Sequence, residues 1–163
     1  MFVRTASARD LDAVRALLGE TWHATYDSIY GPERVAAITA DWHSLASLRE
    51  QIDRPSSEFL VADDGEAIGG MAYASADESG RTVMLHQLYV RPAMQGRGIG
   101  GMLLGEVFDS FPEAERIRLE VEEANLKAVA FYEAAGFIRA GRTSNCGRDQ
   151  SGIPALVFER TLG

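Results

Sequence analysis

The residues Met94-Gln95-Gly96-Arg97-Gly98-Ile99-Gly100-Gly101 carry the strongest chemical signal in the chain. They follow a β-rich run, Val83 to Val90, through Arg91-Pro92. They lead into an apolar segment with helical spacing at Leu103, Leu104, Val107 and Phe108. Glycines let backbone N–H groups approach a ligand without interference from Cβ, and a helix N-terminus adds donors and positive dipole. Together these make a cradle for phosphate oxygens. The Walker pattern is excluded, because no Lys followed by Ser or Thr closes the loop. Gly96, Gly98 and Gly101 fit the letters of the dinucleotide fingerprint. However, the strand lies past mid-chain, and no acidic strand-end residue sits about 20 residues on in the expected context. Glu120 is near that spacing but lies inside an apolar strand.

Other residues could handle protons or a substrate. Glu120 stands between Leu119 and Val121, where a carboxylate is costly to bury unpaired, so a wet cleft is expected beside it. His86, on the long strand before the glycine loop, belongs to the residue type that titrates near neutrality; the alternative is a half-buried packing residue. Tyr132 follows Asn125 by seven residues, about two helical turns, so the two share a helix face. The alternative for Tyr132 is a core aromatic beside Phe131, and for Asn125 a helix cap. Glu122 and Glu123 read as solvated strand-exit residues. Trp22, Tyr26 and Tyr30, with His23, Trp42 and His43, read as a loop between helices whose aromatic and polar groups could wall a substrate pocket. An ordinary amphipathic helix end is the alternative there. No metal is expected, since His23 and His43 lack ligand spacing with Cys or carboxylates, and no Ser/His/Asp signature appears.

Read as Gln95-x-x-Gly98-x-Gly100 after Leu85-His86-Gln87-Leu88-Tyr89-Val90, the loop resembles the acetyl-CoA pyrophosphate loop of the GNAT superfamily of N-acyltransferases. Leu119 to Asn125, followed by Ala130-Phe131-Tyr132-Glu133-Ala134-Ala135-Gly136-Phe137, is similar to the family's other cofactor-contacting segment. The two motifs stand in the family's order and spacing and cover residues 83 to 140. The resemblance implies one α/β domain over residues 1–163. Its mixed, mostly antiparallel central sheet would have about seven strands flanked by helices, with one strand pair splayed at the cofactor site. It implies acetyl-CoA as co-substrate, met by Leu88, Tyr89, Val90, Gln95, Gly96, Arg97, Gly98, Ile99, Gly100, Gly101, Asn125, Phe131 and Tyr132. The Val90 N–H would face the thioester oxygen, and Arg91 or Arg97 could add a charge-assisted phosphate contact.

An alkylamine with a pKa of about 10.4 is neutral in only about one molecule in a few thousand at pH 7. Acetyl transfer therefore needs a base, a held thioester and a proton for the departing thiolate. By the resemblance, Tyr132 matches the tyrosine near the cofactor sulfur and supplies that proton. Glu120 matches a strand position where some members carry the base, directly or through water, with His86 as competitor. The expected reaction is direct attack by a primary amine in a ternary complex, with a small molecule or polyamine favoured as acceptor and Trp22, Tyr26 and Tyr30 beside it. The alternatives are a protein N-terminus or lysine as acceptor, a non-catalytic acyl-CoA sensor, and a nucleotide-binding module. A homodimer is a family-level expectation.

These residues need positioning elements. Phe2 to Thr5 reads as a strand. Ser7-Ala8-Arg9-Asp10 resembles a capping box before a helix marked by Leu11, Val14, Leu17 and Leu18 and running to about Thr21. A helix opens at Pro32 or Glu33, and another spans Ser44 to Ile52. Phe59–Ala62 and Ala67–Ser75 form a hairpin about Asp63 to Glu66, and Thr82–Val90 is the long strand. A helix over 98–111, a strand over 116–121, a helix over 125–135, and strands over 137–143 and 153–160 follow.

Composition bounds the rest. With 163 residues, 46% hydrophobic and 25% charged, the chain reads as one ordinary globular domain. Its net charge of −8 argues against nucleic acid as a partner and suits cationic amines, though it also simply favours solubility. No apolar run approaches the roughly 18 residues of a membrane span, and no signal pattern opens the sequence. The lone Cys146 reads as an unremarkable thiol, in keeping with a cytoplasmic setting.

Overall fold

A computed structural model describes residues 1–144 and 153–162. Cys146 lies outside the described residues. The strands are β1 (Phe2–Thr5), β2 (Ser57–Asp63), β3 (Ile68–Ala76), β4 (Thr82–Val90), β5 (Arg116–Glu122), β6 (Ile138–Thr143) and β7 (Ala155–Thr161). They form one mostly antiparallel sheet in the order β1-β2-β3-β4-β5-β7-β6. The helices are α1 (Leu11–Tyr30), α2 (Pro32–Trp42), α3 (Leu45–Asp53), α4 (Ile99–Ser110) and α5 (Leu126–Ala134). This is the mixed α/β architecture that the sequence pattern predicts. Two compact units make it up: Met1–Ala74 with Gln87–Ser110, and Ser75–His86 with Phe111–Gly163.

In the first unit, β1 pairs antiparallel with β2, Phe2 opposite Asp63 and Thr5 opposite Leu60. Arg4 ties the start of the chain together. Its guanidinium donates to Asp10 at 2.8 and 2.9 Å and to Asp63 at 3.1 Å. Asp10 also accepts from the Ser7 N–H at 2.8 Å, the return half of the expected capping box. The hydrogen bonds from Arg4 hold the Asp10 carboxyl far below the usual carboxylate range, which offsets the desolvation of a side chain at 5% exposure. Leu11, Val14, Leu17 and Leu18 then turn one stripe of α1 into a core with Leu48, Phe59, Val61, Met71 and Tyr73. Each such side chain contributes about 1.5–3 kcal/mol on burial.

The expected end of α1 near Thr21 is wrong. The helix runs to Tyr30, and Gly31, at φ +88°, separates it from α2. The supposed loop from Trp22 onward contains no glycine or proline, and Trp22, Tyr26 and Tyr30 repeat every four residues. Trp22 and Tyr26 bury with Val35 of α2 in a second cluster, and His23 pairs with Asp27 one turn on at 2.7 Å. Burial of an amphipathic stripe outweighs the modest helix propensity of aromatic residues.

In the second unit, β4 and β5 are parallel, from Thr82 opposite Arg116 to Leu85 opposite Leu119. The register ends there, although β5 continues to Glu122. β7 lies antiparallel between β5 and β6. Ile117, Leu119 and Val121 are buried, so Arg116, Arg118, Glu120 and Glu122 project from the opposite face of β5. No helix among the described residues is long and apolar enough to cross a membrane.

Candidate active site

The glycine segment belongs to the first unit. After β4, Pro92–Met94 forms a single 3₁₀ turn, followed by Gln95 in extended backbone. Gly96 and Gly98 then take φ of +81° and +80°, values that a Cβ disfavours. Among the described residues, no atom comes within 4 Å of where their Cβ atoms would stand. These glycines are therefore required by backbone conformation and not by crowding. The Met102 N–H donates to the Gly98 carbonyl at 3.1 Å and closes the first turn of α4. The amides of Ile99, Gly100 and Gly101 consequently have no carbonyl four residues back inside the helix. Ile99 is 3% exposed and anchors the turn to the core.

Of the two expected phosphate-facing arginines, Arg97 is exposed. Arg91 is engaged inside the unit, with Glu20 at 2.7 Å and the Ile68 carbonyl at 3.2 Å. Leu88, Tyr89 and Val90 are half-buried, and Tyr89 packs against both core clusters. The Val90 carbonyl accepts from the Gln95 side chain at 3.1 Å.

Trp22 and Tyr26 lie 2% and 1% exposed, with ring centroids 4.6 Å apart. Trp42 and His43 pack against Trp22 at 5.7 and 5.8 Å. Tyr30 is half-buried, and the Arg34 guanidinium stands over its ring at 5.0 Å. Of the three residues expected beside an acceptor, Tyr30 is thus the one that reaches solvent appreciably.

The second unit assembles the remaining residues. In a parallel pair, opposed residues share a face, so Thr82, Met84 and His86 line the face that carries Arg116, Arg118 and Glu120. His86 is exposed and not half-buried, and its Nε2 lies 2.7 Å from Ser75 Oγ. Glu120 is half-buried, consistent with a carboxylate bordering water. Glu122 corrects the sequence reading: it is 7% exposed and not solvated. Glu123 is partly exposed and paired with Arg142.

Asn125 caps α5, its side chain accepting from the Ala128 N–H at 3.2 Å. Tyr132, at 8% exposure, packs edge-on to Phe131 and Phe137 at 5.1 and 5.5 Å. Burial, and secondarily the charge of Glu122, pushes the Tyr132 phenol well above its ordinary pKa. It therefore keeps its proton throughout the physiological range. Ser75 and the buried state of Glu122 escaped the sequence reading. The alternation Arg116-x-Arg118-x-Glu120-x-Glu122 puts Glu122 on the polar face, whereas Ser75 is legible only from pairing across the turn at 77–80.

Comparison with known proteins bears on these segments together. Residues 12–137 match the acetyltransferase (GNAT) family. The chain is 34% identical over 122 residues to the N-alpha-acetyltransferase RimI of Mycobacterium tuberculosis, covering 72% of this chain and 75% of that one. It is 32% identical over 101 residues to the ribosomal protein bS18-alanine N-acetyltransferase of Salmonella typhimurium, covering 61% and 66%. In fold it is similar to the PaiA N-acetyltransferase of Thermoplasma acidophilum solved with coenzyme A. That likeness has a TM-score of 0.86 at 23% identity and covers 99% and 98% of the two chains. A glycine turn at a helix start, a strand bearing glutamates and a capped helix bearing a buried tyrosine stand in a chain that belongs to the GNAT family of N-acetyltransferases.

Proposed function

We propose that this chain transfers the acetyl group of acetyl-CoA to a primary amine by direct attack. The observation that carries the reading is the pair of left-handed glycines, Gly96 and Gly98, open to solvent and leading into α4. Glycines in this conformation let consecutive amides face one ligand, and the first turn of α4 adds donors and dipole for a diphosphate. Asn125 and Phe131 contact the cofactor arm in this reading, and Gln95, by holding the Val90 carbonyl, fixes the strand end beside the thioester. Glu120 takes the proton from the ammonium, directly or through water, with His86 as the alternative base. The amine nitrogen forms its bond to the acetyl carbon as the C–S bond breaks, and Tyr132 gives its proton to the sulfur.

Two acceptor classes have support. The net charge of −8 favours a small cationic amine or polyamine. The names of the Mycobacterium and Salmonella relatives favour a polypeptide α-amine. Coenzyme A release measured with polyamines, aminoglycosides and Ala-initiated peptides decides between them, and release with none of these removes the enzymatic reading. Tyr132→Phe should lower kcat by about a hundredfold, a larger effect than on acetyl-CoA affinity. Because the phenol is shifted upward, its ionisation should place no alkaline limb on the pH–rate profile below about pH 10. Unchanged kcat in this variant takes the acid role away from Tyr132.

A further inference from the structure

We infer that Arg91 and Glu20 hold the phosphate-binding turn in place without contacting the cofactor: a carboxylate on α1, acting through the guanidinium just past β4, fixes the peptide from which the turn departs. The inference rests on the reading of the Gly96–Gly101 segment as the pyrophosphate site.

From sequence, Arg91 is a cation beside the glycines and, with Arg97, one of two candidates for a phosphate contact. Its surroundings assign it otherwise. Nη1 donates to Glu20 Oε2 at 2.7 Å, and Nη2 and Nε reach the Ile68 carbonyl at 3.2 and 3.4 Å. All three guanidinium nitrogens are directed at protein oxygens, so the fork is already engaged. The backbone of Arg91 is held on both sides as well. Its N–H donates to the Gly69 carbonyl at 2.8 Å, and its carbonyl accepts from the Met94 N–H at 2.8 Å.

Gly69, whose carbonyl takes the Arg91 N–H, also lies under the 3₁₀ turn. The end of the Met94 side chain covers it, with Sδ 2.8 Å from where a Cβ would stand. Strand β3 therefore lies directly beneath the 3₁₀ turn, and Arg91 joins that strand, α1 and the turn at one point. A diphosphate taking Arg91 as a ligand must displace Glu20, whose charge opposes it. The anion is left to the main-chain amides and to the exposed Arg97.

The test has opposite signs for the two roles. Acetyl-CoA binding is measured by calorimetry on the full chain, with thermal unfolding as the check on folding. If Glu20 positions the turn through Arg91, Glu20→Gln weakens binding by about three- to tenfold. The KM for acetyl-CoA rises with it while kcat at saturating acetyl-CoA stays put, and the variant has no further effect in an Arg91→Met background. If Arg91 is a phosphate ligand, Glu20→Gln releases it and binding tightens. Tighter or unchanged binding overturns the inference. Gly98→Glu, run alongside, separates the two claims. Normal affinity in that variant removes the pyrophosphate reading itself. Lost affinity there, with no weakening in Glu20→Gln, removes only the positioning role.

Discussion

The turn at Gly96–Gly98 and the row Trp22, Tyr26, Tyr30 belong to the same compact unit, and both carry residue types suited to ligands. They end in opposite environments. The glycines stand in open space at φ near +80°, while Trp22 and Tyr26 are at most 2% exposed. The difference lies in what drives each segment. A glycine turn has no side chain for the hydrophobic effect to pull inward, so it stays at the surface wherever its neighbours are anchored. Ile99 and the Arg91 contacts provide that anchorage. Aromatic side chains on a helix carry large apolar areas, and the first call on that area is the core. Only Tyr30, at the helix end, retains an accessible flank.

This contrast breaks most visibly at Trp22. Trp22→Ala should cost about 3–5 kcal/mol of stability in urea unfolding. A stable variant with a raised KM for the amine would instead make Trp22 a pocket wall and end the contrast. Gly98→Glu should do the reverse, leaving the fold nearly intact and weakening acetyl-CoA binding by at least about a hundredfold. The new side chain has room but brings a disfavoured φ and a negative charge to an anion site. A thermal midpoint that collapses in this variant would mean the turn is part of the core after all. The smallest effect belongs to Tyr30→Ala, expected to cost about 1 kcal/mol of stability. Its value lies in the acceptor KM: a rise confined to Tyr30 sharpens the contrast by locating the rim where the amine arrives, and no change moves the acceptor site elsewhere.

Much of the architecture was legible because local signals agreed. Ser44 and Asn125 cap helices where capping chemistry predicts, and the turns at 63–66 and 77–80 separate strands as turn composition requires. The glycine turn was readable because its requirement is conformational and local. Three features were not. The continuation of α1 through Trp22 to Tyr30 depends on Val35 arriving from α2 to cover the aromatic stripe. The burial of Glu122 depends on the register of β5 and on α5, which place its charge close enough to Tyr132 to act on it. The engagement of Arg91 depends on Glu20, separated from it by 71 residues. Each is settled by a partner on another element, which periodicity within one segment cannot name.

The position of β7 between β5 and β6 bears on how the chain is made. Residues 155–161 emerge after the other six described strands during synthesis, yet they fill an interior place. Until they do, β5 and β6 both expose backbone groups that no neighbour has satisfied, a template for pairing with other molecules. At about 5–20 residues per second, a nascent chain spends seconds in that incomplete condition. Removing residues 155–162 would make it permanent, and the shortened chain should collect in inclusion bodies even though every glycine, glutamate and tyrosine discussed above is still present.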